Sequence, residues 1–115
     1  MYALSERGPE RIRLSELASS LSQIHMSSLA WYEFSRGPRT PEQLAVARSF
    51  LSDVGVLPLT EEIAVRAADV FRSLGSPRNR TGDIVIGVTA LLAGATLLTR
   101  NRRDFAAIPG LRLDP

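Results

Sequence analysis

The chain contains neither cysteine nor lysine. The lack of cysteine excludes disulfides, zinc–thiolate centres and thiol catalysis. The lack of lysine leaves arginine as the only basic residue type, in all fourteen basic positions. No apolar run approaches the ~18 residues that would span a bilayer. The N-terminus lacks the apolar core and cleavage site of a signal peptide. These absences point to a cytoplasmic protein with no membrane partner. The single histidine, His25, follows an apolar residue of a strand-like segment. A satisfied strand histidine is expected there rather than a general base.

What is present suits one domain, residues 1–115. A hydrophobic fraction of 44% and a charged fraction of 23% are those of an ordinary globular domain with a single core. The net charge of +2 is too small to name a partner. The arginines have two accounts. A GC-rich coding sequence would favour them, and so would a surface that pairs bidentately with phosphate. Local clustering, rather than total charge, separates the two.

Helix and strand signals alternate along the chain. Pro9 to Ser22 carries a helical stripe of Leu14, Leu17, Ala18 and Leu21. Gln23 to Ser27 reads as a brief strand, and Leu29 to Arg36 as a short helix closed by Gly37-Pro38. Thr40-Pro41-Glu42-Gln43 opens the next helix with an N-cap, a proline at the first position and a capping-box glutamine. It is expected to run to about Ser52. Gly55 to Leu59 is a short strand. Thr60-Glu61-Glu62 caps a helix striped by Ile63, Ala67, Val70, Phe71 and Leu74 and ended by Gly75-Ser76-Pro77.

Asp83 to Ala93 is apolar on nearly every side and is expected to be a buried helix, with Gly94 as its C-cap. Ala95 to Leu98 is a buried strand, and Leu111 to Leu113 a last one. This alternation predicts an α/β layered fold with a mostly parallel sheet. Ligands of such sheets gather beyond the carboxyl ends of the strands. Thr99, Arg100 and Asn101 fall there.

Three acids stand out. Glu33 lies between Tyr32 and Phe34 on a short apolar helix, so it must face solvent, pair, or bind a cation. Asp83 sits in the first helical turn, where a carboxylate also serves as a cap. Asp104 could cap the turn Asp104–Ile108. Brought into one cleft, such carboxylates repel one another unless a cation joins them. Mg²⁺ or Mn²⁺ suits oxygen ligands and keeps several waters. A metal so held can activate water and offset charge on a phosphate.

Three blocks carry a family resemblance: Ser27-Ser28-Leu29-Ala30-Trp31-Tyr32-Glu33-Phe34, Thr81-Gly82-Asp83-Ile84-Val85-Ile86-Gly87-Val88-Thr89-Ala90, and Leu98-Thr99-Arg100-Asn101-Arg102-Arg103-Asp104-Phe105. They resemble the motifs of PIN domains and, more narrowly, VapC-type toxins of bacterial toxin–antitoxin pairs. Ile108-Pro109-Gly110-Leu111 is similar to that group as well. The resemblance implies a metal-dependent endoribonuclease on a three-layer α/β/α fold, held inactive by a cognate antitoxin and commonly dimeric. It implies catalytic roles for Glu33, Asp83, Asp104 and Asn101. Glu33, Asp83 and Asp104 would be the ligands of Mg²⁺ or Mn²⁺, and Thr99 a supporting polar residue. Among the arginines flanking these segments, Arg80, Arg100 and Arg102 are expected to contact RNA or the antitoxin. Trp31 belongs to the core or a dimer interface.

The front of the chain departs from the pattern. The family's first acid ends a central first strand, and Met1 to Leu4 supplies no such acid. Tyr2-Ala3-Leu4-Ser5 resembles the segment just after it. The expectation is a chain without its N-terminal central strand, through a misassigned start or a true truncation. Glu6 and Asp53 are spare acids, neither at a matching position. A truncated form would be an inactive protein that binds the antitoxin or an intact toxin.

Overall fold

The computed structural model describes residues 1–9, 11–20 and 22–115. Leu21, the last member of the first helical stripe, lies outside them, as does Glu10. Among the described residues, four strands are interleaved with six helices: β1 (Tyr2–Leu4), α1 (Arg11–Ser19), β2 (Ile24–Ser27), α2 (Ser28–Ser35), α3 (Pro41–Ser49), β3 (Val56–Leu57), α4 (Glu61–Ser73), α5 (Thr81–Leu92), β4 (Thr96–Leu98) and α6 (Arg102–Phe105). A 3-10 turn at Arg78–Arg80 leads into α5. The helix therefore begins two residues earlier than its apolar run suggests. No helix of the described residues is long and apolar enough to cross a membrane.

The sheet is parallel throughout, in the order β3-β2-β1-β4. The expected loss of the central strand is overturned. Tyr2, Ala3 and Leu4 lie between β2 and β4, with Leu4 opposite Met26 on one side and Leu98 on the other. Three residues are too few to show a strand's alternation, which is why the segment reads as nothing in isolation. Two waiting strand edges make it one. Its flanking backbone is also paired, Tyr2 N–H to Gln23 O at 2.9 Å and Thr96 N–H to Met1 O at 3.0 Å. The expected strand at Leu111 to Leu113 is reduced to a single bridge between Leu97 and Leu113.

Every residue of β2 is buried, as are Ala3, Leu4, Leu97 and Leu98, so both sheet faces are covered. On one side α5 is the central support. Its Ile86 and Ala90 join the sheet core, while Ile84 and Val88 pack against Ile63 and Ala67 of α4. The stripe expected on α4 is the one it buries, flanked by Val70, Phe71 and Leu74. Trp31 and Phe34 of α2 stack at 5.9 Å against the core.

The caps form as their residue types require. Thr40 Oγ1 accepts from Gln43 N–H at 3.2 Å, and Gln43 Oε1 accepts from Thr40 N–H at 2.9 Å. Thr60 accepts from Ile63 N–H. Gly94, with φ +68°, takes the left-handed turn that ends α5. Because α3 buries no residue fully, its cap should carry a large share of its order. Thr40→Ala is expected to cost about 1 kcal/mol, measured by urea unfolding. An unchanged midpoint would show that α3 is held by its neighbours instead.

Candidate active site

The order of the strands fixes where a site can form. The chain builds outward from β1 through β2 to β3, then returns to place β4 on the other side of β1. That reversal opens a crevice beyond the carboxyl ends of β1 and β4. Ser5 and Glu6 leave β1 there, and Thr99, Arg100 and Asn101 leave β4. Glu33 comes from α2, which follows β2 directly, and Asp83 from the first turn of α5. Residues distant in sequence thus meet: Ser5, Glu6, Thr99, Arg100 and Asn101 lie just past strand ends, Asp83 lies at a helix start, and Glu33 sits in the second turn of α2.

Backbone and hydroxyl bonds tie the two exits together. Ser5 N–H donates to Leu98 O at 3.1 Å and Arg100 N–H to Arg7 O at 3.0 Å. Ser5 Oγ, 1% exposed, lies 2.8 Å from Thr99 Oγ1. Thr99 Oγ1 in turn accepts from Asn101 N–H at 3.0 Å. Thr99 therefore sets the backbone of the turn that carries Asn101.

The acids share one electrostatic neighbourhood. Burial is the largest cause pushing Asp83 up to about 6, and Glu6, Asp104 and Glu33 push the same way against Arg80. Burial also raises Glu33, with Glu6 adding to it and Arg36 opposing. A first-turn carboxylate is ordinarily helped by the helix dipole, so an upward shift at Asp83 means that burial, with the neighbouring carboxylates adding to it, outweighs that help. The N-cap residue of α5, Arg80, makes no side-chain capping bond, and Asp83 is the acid in the first turn. Asp104 does not cap a turn, because it lies inside α6, its N–H bonded to Asn101 O at 3.0 Å. Among the described residues, the salt bridges are Arg13–Glu16, Arg13–Asp114 and Arg72–Asp69, and none neutralises Glu6, Glu33, Asp83 or Asp104.

Glycine makes room for one of these approaches. A Cβ on Gly82 would stand 3.0 Å from Glu33 Oε1. The carboxylate of α2 therefore reaches the first turn of α5, next to Asp83.

The arginines divide. Arg80 is the residue before α5 and faces Asp83 electrostatically. Arg100 is exposed and lines an open groove of about 1180 Å³ with Glu6, Phe34, Arg39 and Phe50. Arg102 turns away to donate to the Asp114 carbonyl. His25 is buried in β2, its Nδ1 3.2 Å from both Val54 O and Ser52 Oγ, but its Nε2 is buried without a hydrogen-bond partner, so the strand histidine is only half satisfied. Asp53 contributes only its carbonyl, to Arg48.

The residues present fit a hard divalent cation. The donors are carboxylate oxygens and an amide, one of them, Glu6 Oε2, buried without a hydrogen-bond partner. Among the described residues no three acids converge tightly enough to cage a bare ion. Mg²⁺ and Mn²⁺ need no such cage, since Mg²⁺ binds through one or two carboxylates and retains waters.

Sequence reasoning left two residues outside the site. Glu6 does not stand at a position that matches the family's first acid, so the resemblance does not point to it. Ser5 gave no signal, since a lone serine in sequence does not show that it will be buried against a threonine from β4.

A parallel α/β sheet with carboxylates gathered at its switch point is the PIN architecture, and the PIN domain family matches residues 1–111. The chain belongs to the PIN domain family. It is 33% identical over 103 residues to Ribonuclease VapC19 of Mycobacterium tuberculosis, covering 88% of this chain and 82% of that one. Among solved structures it resembles the DNA-bound VapBC of Salmonella typhimurium, with a TM-score of 0.72, 25% identity and coverage of 98% and 96%. It shares its fold with a toxin–antitoxin complex from Klebsiella pneumoniae, with a TM-score of 0.67, 24% identity and coverage of 96% and 95%.

Proposed function

We propose that this chain is a VapC-like ribonuclease toxin of a toxin–antitoxin system. It hydrolyses RNA phosphodiester bonds at the crevice beyond β1 and β4. The observation that carries the reading is the electrostatic meeting of Glu6, Asp104 and Glu33 on Asp83, in a family whose curated relative is a ribonuclease. Carboxylates gathered at mutual cost and left without arginine partners serve a cation better than they serve stability.

Of Glu33, Asp83 and Asp104, one or two would hold Mg²⁺ or Mn²⁺ directly and the rest through its retained waters; when bound the ion supplies an acidified water and positive charge beside the scissile phosphate. Asn101, fixed by Thr99, is placed to orient a ligand at the rim. Arg80 and Arg100 are placed to receive RNA phosphates or the antitoxin. Arg102 could join them only by releasing the Asp114 carbonyl. The remaining partners are a cognate antitoxin and a second copy of the chain, on a single domain with helices on both faces of the sheet. The inactive-binder alternative rested on a missing central strand and a missing first acid; β1 supplies the strand, while Met1 to Leu4 carries no acid.

The purified chain is expected to cleave RNA with Mn²⁺ or Mg²⁺ and to lose cleavage completely on adding EDTA. Cleavage that persists in EDTA would overturn the metal-dependent reading. No cleavage of any RNA with either metal would overturn the ribonuclease.

A further inference from the structure

Three arginines meet at a smaller pocket outside the acid cluster. It holds about 260 Å³ just past the end of β4, and Arg13, Thr99, Arg100, Arg102 and Asp114 form part of its wall. Arg13 comes from α1, Arg100 from the turn after β4, and Arg102 from the start of α6. Asp114 is the one carboxylate in that wall among the described residues. Glu16 reaches Arg13 only along α1, at 3.7 Å, from an exposed position. Guanidinium groups gathered round a small opening repel one another unless an anion joins them.

In this structure that anion is Asp114. Arg13 Nε and Nη2 donate to its Oδ2 and Oδ1 at 2.9 and 2.8 Å, and Arg102 donates to its carbonyl. A guanidinium gives a phosphate the same two-pronged grip. The backbone of Asp114 is held separately, its N–H donating to Leu97 O at 3.0 Å. The carboxylate can therefore leave Arg13 by a side-chain rotation, without unpairing its segment from β4. Arg100 is exposed and forms no salt bridge among the described residues.

The position of the pocket names its ligand. Arg100 is a shared wall, lining both this pocket and the open groove that holds Glu6. Thr99, also in the wall, accepts from Asn101 N–H. An RNA strand laid across the acids continues over Arg100 into the pocket, where a neighbouring phosphate meets positive charge. Repeating phosphates explain why a basic pocket adjoins an acidic cleft. A single carboxylate ligand would explain the pocket but not its place.

We propose that the Arg13–Arg100–Arg102 pocket is a subsite for an RNA backbone phosphate beside the scissile one, and that Asp114 is an internal stand-in which that phosphate displaces. The proposal rests on the ribonuclease reading given above. Asp114 holds the Arg13 fork in place in the free chain and competes with RNA for it, so the contact is autoinhibitory.

The test is binding of a fluorescently labelled single-stranded RNA to the full chain, by anisotropy in EDTA at low salt, with melting temperature recorded for each variant. EDTA separates the result from the metal-dependent reading. Asp114→Asn is expected to tighten RNA about fivefold, and Arg13→Gln to loosen it about fivefold. The opposite signs are decisive, because both variants break the same ion pair. If the pair only tethers α1, both variants melt lower and shift binding in the same direction, which overturns the proposal. The Arg72–Asp69 pair on α4 controls for charge. Arg72→Gln and Asp69→Asn should each stay within about twofold of the parent. Shifts there as large as those at Arg13 and Asp114 would reduce the effect to net charge and refute the pocket. Arg102→Gln leaves the Arg13–Asp114 pair intact and is expected to loosen RNA about threefold. Parent-like binding by Arg102→Gln refutes the subsite even if Asp114→Asn does not fold. If the parent chain binds no RNA, the ribonuclease reading fails and this proposal with it. If the parent binds RNA and Asp114→Asn binds no tighter, this proposal alone fails.

Discussion

Asp83→Asn is expected to reduce metal-dependent RNA cleavage by roughly a hundredfold or more and, at pH 7, to make the protein more stable. The two effects share a cause. Burial and the carboxylates of Glu6, Asp104 and Glu33 raise Asp83 to about 6, from 3.8 in the unfolded chain. The folded state therefore holds a proton that the unfolded state has released between those values. The stability this represents is fully present below about 3.8 and is lost as pH rises through about 6.

At pH 7 the ionised group is a burden that asparagine does not carry. Asp83 is partly exposed, so solvent screening trims the gain to about 1 kcal/mol. That corresponds to a rise of about 4 °C in melting temperature for a domain of this size. At pH 4 the two proteins should melt nearly together. Mn²⁺ should raise the melting temperature of the parent chain and not of the variant. A variant that melts lower at pH 7 would make Asp83 a structural residue. Undiminished cleavage would remove it from the site.

Gly87→Ala is expected to lower both stability and cleavage without touching any acid. Gly87 lies at the middle of α5, where the segment after β4 crosses it. A Cβ there would stand 2.4 Å from Ile108 Cδ1, 3.3 Å from Leu111 Cδ2 and 3.5 Å from Phe105 Cδ1. Phe105 and Ile108 are 1% and 4% exposed, so neither can swing into solvent. The added methyl must turn the buried Ile108 side chain or shift the segment, at a cost of about 1–3 kcal/mol.

Phe105 follows Asp104 directly, so the displaced anchor carries the Asn101–Asp104 turn with it. A shift of about 1 Å at a reacting group can cost about a hundredfold in rate. Ile108→Val deletes the clashing Cδ1. Combined with Gly87→Ala it should recover most of the lost stability and part of the activity. Thermal melts and cleavage assays on both single variants and the double variant give the coupling. Strictly additive losses would mean that contact with Ile108 is not the cause.

Much of the scaffold was legible because its signals are local. The stripe Ile63, Ala67, Val70, Phe71, Leu74 repeats at helical spacing within one element, and α4 buries that face. Thr40 and Thr60 announce their helices through residues three positions away, and both caps form. The continuous apolar run after Asp83 marks a helix buried on two sides, and α5 is packed between the sheet core and α4. The exact start of α5 was not legible, because the polar turn Arg78–Arg80 that leads into it carries no apolar period.

The sequence by itself determined which residue types could do chemistry. With no cysteine or lysine and one strand-bound histidine, carboxylates and arginines were left, and Glu33, Asp83, Asn101 and Asp104 could be named. Only the tertiary structure decided that Asp83 is crowded by other carboxylates, that Arg102 points to Asp114, and that Glu6 belongs among the acids. It also turned Tyr2–Leu4 into the central strand. The physical reason is the same in each case. A three-residue strand has no periodicity of its own and exists only through the two edges it pairs. A carboxylate takes its role from charges that the chain brings near it from distant positions.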